Sequence, residues 1–189
     1  MIKGVKVIGF DADDTLWVNE PYYREAEEQF VQLLTAYGVG GNIAGALFDT
    51  EIANLRLYGY GIKAFMLSLV ECAIQLTDGG VSTRDISKII GIGKSMLERP
   101  SELLDHVKPV LKKLAPHYRL IVATKGDLLD QERKMYKSSI SGYFHHIEVM
   151  SDKKILQYEL LLKHLDIAPE AFLMIGNSLK SDIIPPVSY

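Results

Sequence analysis

The sequence of 189 residues has little of what marks several classes of protein. Its single cysteine, Cys72, cannot form an internal disulfide, and the apolar residues around it predict a buried packing role in a reducing compartment. Its 21 lysines and arginines are outnumbered by 24 aspartates and glutamates, which gives a net charge of -3. Without an overall positive field, binding of nucleic acid or of an anionic membrane is not expected.

Long apolar runs are also missing. The first apolar run ends at Asp11, before a secretory leader could develop, and a later one over residues 64–76 is well short of the roughly 20 residues that span a bilayer. We therefore expect a soluble, cytoplasmic protein that recognises its partner through a local site. Hydrophobic residues make up 48% of the chain, which is enough for one globular core with a smaller insertion.

Short apolar runs rich in branched residues alternate with helical patterns at both ends of the chain. Residues 103–114 and 155–165 repeat apolar side chains at helical spacing, and Asp127 is a predicted N-cap for a helix through Tyr136. This alternation predicts an α/β fold around a parallel sheet. The runs of strand length are residues 5–10, 120–123, 147–150 and 171–175.

The middle of the chain, residues 17–100, has no clear strand pattern. It contains four helical stretches, and most of their joints carry glycine. A small helical bundle inserted into the α/β core is therefore predicted. The stretches cover about residues 22–37, 43–58, 62–77 and 83–97.

The most informative motif is Asp11-Ala12-Asp13-Asp14-Thr15, which follows the first predicted strand directly. Carboxylates two residues apart at a strand end project to the same side, so Asp11 and Asp13 can address one ligand while Asp14 points elsewhere. Two like charges so close need a cation. The hard oxygen donors, without a cluster of cysteine or histidine, favour Mg²⁺ over Zn²⁺. The alternative is that these are loop acids or helix caps.

Three further polar clusters follow the other predicted strands, at residues 124–127, 151–154 and 176–182. The carboxyl ends of parallel strands lie along one edge of a sheet, where open α/β proteins bind ligands. We therefore expect acids, a hydroxyl, an ammonium and a further oxygen donor to share one crevice. His145 and His146 also adjoin a strand, but the sequence suggests no third ligand, which favours structural roles for them.

In order and spacing these motifs resemble those of the haloacid dehalogenase-like hydrolases: Asp-x-Asp-x-Thr, then Thr or Ser, then Lys, then an acidic loop. The helical insertion falls where members with a helical cap carry it. The resemblance implies a Rossmann-like parallel sheet core with helices on both faces and an inserted α-helical cap. It divides the chain into a core of residues 1–16 and 101–189 and a cap of residues 17–100.

The resemblance also implies a set of roles. Asp11 would be the nucleophile that attacks phosphorus to form a phosphoaspartate, and Asp13 the general acid and base. Thr124, Lys125 and Lys153 would bind the phosphoryl group, with Thr124 and Lys153 counted as catalytic. The implied cofactor is Mg²⁺, held by Asp11, the backbone carbonyl of Asp13 and the loop from Asn177 to Asp182.

Two residue choices stay open at this point. The family's lysine precedes an aromatic residue by five positions, which favours Lys153 over Lys154 because Tyr158 is that aromatic. Asn177 stands where the family most often has Asp, so either Asn177 or Asp182 is the direct metal ligand.

We expect a phosphatase that acts on a small phosphorylated metabolite. A dehalogenase would not need Asp13, a phosphomutase would use the same residues, and a phosphonate hydrolase would need an added lysine such as Lys63. A catalytically silent or truncated protein with a binding or scaffold role is the alternative from another class. It is favoured by Asn177 and by the end of the chain seven residues after Asp182, where the family normally continues.

Overall fold

The chain forms two compact units in the computed structural model, which describes residues 2–187. The first contains the residues up to Asn19 together with those from Pro100 onward, and the second is Glu20–Arg99. Among the described residues, no helix has both the length and the apolar character needed to cross a bilayer.

The first unit is built on a four-stranded parallel sheet of order β3-β2-β1-β4, which confirms the predicted α/β fold. Strand β1 is therefore central, and polar residues that follow it lie between those that follow its neighbours. The strands are β1 (Val7–Phe10), β2 (Arg119–Lys125), β3 (His146–Met150) and β4 (Phe172–Ile175). The helices of this unit are α5 (Val107–Leu114), α6 (Leu128–Lys137), α7 (Ile155–Leu165) and the short α8 (Ile184–Val187).

Both faces of the sheet are covered by helices, because alternate residues of each strand point to opposite sides. Ile8 and Leu120 pack on one side with Leu111 of α5 and Met135 of α6. On the other side, Val7, Ile121 and Ala123 pack with Tyr158, Leu161 and Leu165 of α7. Burial on both faces explains why the two inner strands, β1 and the middle of β2, are uninterrupted apolar runs.

One predicted helix boundary was wrong. The apolar repeat from Leu103 suggested a helix over residues 103–114, but α5 begins at Val107. Leu103 instead forms an isolated β-bridge with Trp17. His106 precedes the helix in a left-handed conformation, with a φ of 67°. Tertiary pairing therefore replaces the first helical turn that the periodicity suggested.

The second unit is a bundle of four helices, as the periodicity predicts. Its core includes Phe30, Leu34, Leu69 and Ile89, all fully buried, and Cys72 lies in the same core with 1% exposure. The predicted burial of the thiol is therefore confirmed. The helices are α1 (Glu20–Thr35), α2 (Ile43–Tyr58), α3 (Ile62–Leu76) and α4 (Thr83–Glu98).

Glu51 on α2 makes the stability of the protein depend on pH. Burial raises the pKa of its carboxyl from an ordinary 4.5 to about 7, and the charge of Glu27 adds to this. The folded protein therefore holds this proton more tightly than the unfolded chain does, and stability is lost as pH rises from 4.5 to about 7. We expect Glu51→Gln to raise the free energy of unfolding by about 1–2 kcal/mol at about pH 8, after allowance for solvent screening.

Urea unfolding at about pH 8 and about pH 4.5 measures this effect, which should be much smaller at the lower pH because the carboxyl is then protonated in the folded protein and about half protonated in the unfolded chain. Glu28→Gln is the matched control, since Glu28 is exposed on α1. An equal change at both pH values for Glu51→Gln would contradict the prediction.

Candidate active site

Polar residues that follow the four strands meet at the carboxyl-terminal edge of the sheet. Asp11 follows β1 directly, and Thr124 and Lys125 are the last two residues of β2. Lys153 lies in the loop between β3 and α7, and Asp182 lies in a single π-helical turn, Leu179–Ile183, after β4. The parallel topology therefore gathers residues that are far apart in the sequence.

The centre of the site is a contact between Asp11, Lys153 and Asp182. The Nζ of Lys153 donates to the Oδ1 of Asp11 at 2.5 Å and to the Oδ1 of Asp182 at 2.6 Å. Lys153 and Asp182 are 2% and 1% exposed, so the ammonium is shielded from water. Two carboxylates therefore share one buried cation, and the three groups together carry an excess of negative charge.

The excess of negative charge acts on the pKa of Asp11, the candidate nucleophile. The pKa of the Asp11 carboxyl is raised, chiefly by burial, although the Lys153 ammonium opposes the shift. The charges of Asp182 and Asp13 raise the pKa further. A second cation at this point would therefore stabilise the anionic form of Asp11.

The residues present fit a magnesium ion as that second cation. Asp11 and Asp182 offer carboxylate oxygens close together, and backbone carbonyls of the adjoining loops can add others, which are the hard donors that Mg²⁺ prefers. The other oxygen of Asp11 accepts from the hydroxyl of Thr15 at 3.2 Å, which fixes the orientation of the carboxylate.

In the loop over residues 176–182, Ser178 forms hydrogen bonds with both the side chain and the backbone of Asp182. Its Oδ2 accepts from the backbone nitrogen of Ser178 at 3.0 Å, and its own nitrogen donates to the Ser178 carbonyl at 2.7 Å. A Cβ on Gly176 would lie 2.3 Å from the Asp182 Cγ, so only glycine permits this approach. Asn177 is exposed, whereas Asp182 is buried beside Lys153.

Asp13 has a separate set of donors. Its Oδ1 accepts from the indole nitrogen of Trp17 at 2.7 Å and from the Lys134 ammonium at 2.9 Å. Its Oδ2 accepts from the side-chain amide of Gln131 at 2.9 Å. The Asp13 charge acts on Asp11 through space, but the two carboxylates share none of these hydrogen-bond donors. Two donors on α6, together with Trp17, thus fix the orientation of the Asp13 carboxylate.

Gln131 and Lys134 are residues that the sequence analysis missed. They lie four and seven positions after the N-cap Asp127, so both are on one face of α6. Gln131 is 3% exposed and also donates to the Lys125 carbonyl at 3.1 Å. The helical spacing from Asp127 was the one signal available, and nothing in the sequence distinguishes it from that of an ordinary polar helix face.

Thr124 and Lys125 border the same site. Thr124 is 1% exposed. The Nζ of Lys125 donates to the Ser181 hydroxyl at 3.1 Å, next to Asp182 in the π-helical turn. Burial lowers the pKa of the Lys125 ammonium, while the carboxylates of Asp152, Asp182 and Asp11 oppose this shift. The charges of Asp11 and Asp182 therefore act on the Lys125 ammonium, which lies at the border of the site.

Two neighbouring residues lie apart from this cluster. The side chain of Lys154 is 78% exposed and forms an ion pair of 2.9 Å with Asp152. Asp14, at a φ of 57°, accepts a hydrogen bond of 2.9 Å from the backbone nitrogen of Asn19. The geometry thus brings Lys153, rather than Lys154, to Asp11.

A family model and a solved structure relate the chain to the same family of proteins. A family model described as haloacid dehalogenase-like hydrolase matches residues 5–185. The chain is 40% identical to a haloacid dehalogenase-like family hydrolase from Xanthomonas campestris, covering 98% of this chain and 78% of that one, with a TM-score of 0.93. No curated protein matched the sequence.

Two more distant structures share the fold. One is the magnesium-bound HAD-hydrolase YfnB from Bacillus subtilis, with 17% identity, coverage of 97% of this chain and 85% of that one, and a TM-score of 0.68. The other is a 2-haloacid dehalogenase from Pseudomonas syringae, with 19% identity, coverage of 97% and 83%, and a TM-score of 0.67. At these identities the likeness extends to the fold alone.

Proposed function

The chain belongs to the haloacid dehalogenase-like hydrolase family, and on that premise we propose that it is a magnesium-dependent phosphatase acting on a small phosphorylated metabolite. The observation that carries the proposal is the buried contact of Asp11 with Lys153, beside Asp182. It supplies a carboxylate nucleophile and a fixed positive charge at one point, with a second carboxylate that can hold a metal ion.

The first chemical step is attack on phosphorus by a carboxylate oxygen of Asp11. An Asp11–phosphorus bond forms while the bond from phosphorus to the leaving oxygen breaks, and Asp13 donates a proton to that oxygen. The product is a phosphoaspartate. Repulsion between a carboxylate and each phosphate charge is about 4 kcal/mol at 4 Å with an effective dielectric near 20, so the Lys153 ammonium lowers this barrier.

The second step releases phosphate. Asp13 takes a proton from a water molecule, the water oxygen bonds to phosphorus, and the bond to Asp11 breaks, which regenerates both carboxyl groups. The Thr124 hydroxyl and the Lys125 ammonium hold phosphoryl oxygens through both steps. Exposure of Asn177 and burial of Asp182 support Asp182 as the direct metal ligand of that loop.

The metal would be held by Asp11, the backbone carbonyl of Asp13 and the loop from Asn177 to Asp182. When bound, it supplies positive charge to the phosphoryl group and offsets the negative charge of the clustered carboxylates. This charge balance supports the proposed requirement for Mg²⁺ in addition to Lys153.

Asp13 also supports phosphate chemistry over carbon–halogen cleavage. Halide leaves without a proton, so a dehalogenase has no use for an acid at this position, whereas an alcohol leaving group needs one. The three donors that orient Asp13 indicate a carboxylate with a defined role in the site.

The purified chain tests the proposal with two substrates. Hydrolysis of p-nitrophenyl phosphate should depend on added Mg²⁺ and stop with a chelator, and 2-chloropropionate should release no chloride. Chloride release without phosphate hydrolysis would identify a dehalogenase instead. A folded chain with neither activity, also inactive on acetyl phosphate, would favour the silent binding protein.

Lys134→Met gives a separate prediction about Asp13. Losing the ammonium that contacts Asp13 Oδ1 should misplace the acid, and so lower kcat about 10- to 100-fold for an alkyl phosphate. The loss should be much smaller for p-nitrophenyl phosphate, whose leaving group needs little protonation. Lys134→Arg should recover part of the rate, and Lys137→Met, exposed on the same helix, is the control. Equal losses on both substrates would indicate a merely structural lysine.

A further inference from the structure

A second cluster of metal-ligating side chains lies on the sheet edge, outside the site described above. His146 and Glu148 are two residues apart on edge strand β3, so their side chains share one face. Met150 continues this alternation and packs with Leu161 and Leu165 of α7. Because α7 covers that face, His164 in its last turn reaches the same point as His146 and Glu148.

The three side chains converge on one carboxylate oxygen. The Nε2 of His146 lies 2.7 Å from the Oε2 of Glu148, and the Nδ1 of His164 lies 3.7 Å from the same oxygen. The two imidazole rings are 5.1 Å apart between centroids and nearly perpendicular, at 83°. One ligand atom from each residue lies within 4.8 Å of the other two.

These separations are close to those of a zinc site. Tetrahedral Zn²⁺ with bonds of about 2.0–2.1 Å to nitrogen and about 2.0–2.2 Å to oxygen holds neighbouring ligand atoms roughly 3.4 Å apart. The separations here lie on both sides of that value. The side chains of His146, Glu148 and His164 are 30%, 31% and 65% exposed, so small rotations can bring the ligand atoms to the bonded distance.

We propose that His146, Glu148 and His164 bind a divalent transition ion of the Zn²⁺ class, with water completing the coordination. Two imidazoles and one carboxylate are a donor set that zinc uses, whereas Mg²⁺ prefers oxygen ligands throughout. The site therefore differs in chemistry from the carboxylate-rich centre at Asp11 and Asp182. Each site selects its own ion.

The location gives the ion a structural consequence. Strand β3 ends at Met150 and α7 begins at Ile155, so the loop between them carries Lys153. An ion that joins β3 to α7 links the two elements on either side of this loop. Bound Zn²⁺ should therefore raise the melting temperature of the whole chain.

Calorimetric titration of Zn²⁺ into the full chain tests the proposal. Excess Mg²⁺ is present throughout, so that it occupies carboxylate sites that Zn²⁺ could otherwise bind. One Zn²⁺ should bind per chain. His164→Gln and His146→Gln should each weaken Zn²⁺ affinity at least about tenfold, because replacing even a residue that only hydrogen-bonds to a metal ligand has an effect of that size. His145→Gln is the matched control because His145 is the exposed neighbour on the same segment. Asp11→Asn should leave Zn²⁺ affinity unchanged.

Melting temperature and Co²⁺ absorption give independent readouts. Zn²⁺ should raise the melting temperature of the wild-type chain and of His145→Gln but not of His164→Gln. Co²⁺ should show the visible bands of a tetrahedral nitrogen-ligated ion only when both His146 and His164 are present. Absence of binding, or equal affinity in wild type and His164→Gln, would overturn the proposal and leave the cluster as hydrogen-bonded surface side chains.

Discussion

Replacing Asp11 with asparagine should lower kcat on p-nitrophenyl phosphate by at least roughly 10⁴-fold, because removing a covalent nucleophile costs that much or more. The amide has the size of the carboxylate but cannot form the phosphoaspartate. Lys153 keeps Asp182 as a partner in the variant, so the protein should still fold. Steady-state kinetics with saturating Mg²⁺, together with circular dichroism, measures both expectations.

Asp14→Asn is the matched control for this experiment. The same chemical change is made three residues away, at a left-handed backbone position with a φ of 57° that asparagine adopts readily. Its side-chain oxygen can still accept from the backbone nitrogen of Asn19. Wild-type kcat is expected for Asp14→Asn. Substantial activity in Asp11→Asn, or equal inactivity in both variants, would contradict Asp11 as nucleophile.

Lys153→Met should give the largest loss of stability. It leaves the buried carboxylates of Asp11 and Asp182 facing each other without their shared cation, and removing one partner from a buried ion pair costs about 3–5 kcal/mol. In a protein of this size this lowers the melting temperature by roughly 10 °C. Thermal melts in the presence of a chelator measure the effect without compensation by a metal ion, and turnover should fall as well.

Lys154→Met is the adjacent control. Its side chain is 78% exposed and its ion pair with Asp152 lies at the surface, so the stability should change by less than about 0.5 kcal/mol. Similar melting temperatures for the two variants would show that the contacts of Lys153 with Asp11 and Asp182 contribute little. A larger effect at Lys154 would reverse the assignment of the two lysines.

The two inner strands, β1 and β2, could be predicted from the sequence because they are buried on both faces. Branched apolar runs such as residues 120–123 are of strand length rather than helix length, which favoured the strand interpretation. The α/β fold in turn predicts that strand ends meet, and this topology explains why Lys153 lies beside Asp11 although neither is near the other in sequence. The four helices of the inserted unit followed from periodicity and from glycines at their joints.

Other features of the fold and the site could not be predicted, because they depend on tertiary packing that a local sequence pattern does not indicate. The residues around Leu103 have helical spacing, but pairing with Trp17 places them outside α5. Asp13 contacts Gln131 and Lys134 only because α6 packs beside the loop that follows β1. The sequence of the helix alone does not predict this packing.

The histidine cluster illustrates the same limit. A third ligand for His146 was not apparent from the sequence, because His164 reaches it from α7 across the face of the sheet. Glu148 could have been found from its two-residue spacing in a strand, which places it on the same side as His146.

Direct detection of a covalent intermediate tests the central claim, that Asp11 forms a phosphoaspartate. The Asp13→Asn variant should hydrolyse this intermediate slowly, since it lacks the base for the second step, while p-nitrophenyl phosphate still reacts because its leaving group needs little protonation. Acid quenching during turnover, peptic digestion at low pH and mass spectrometry should find one phosphoryl group on Asp11. Turnover with no phosphoryl adduct, or with an adduct on a different residue, would contradict the account.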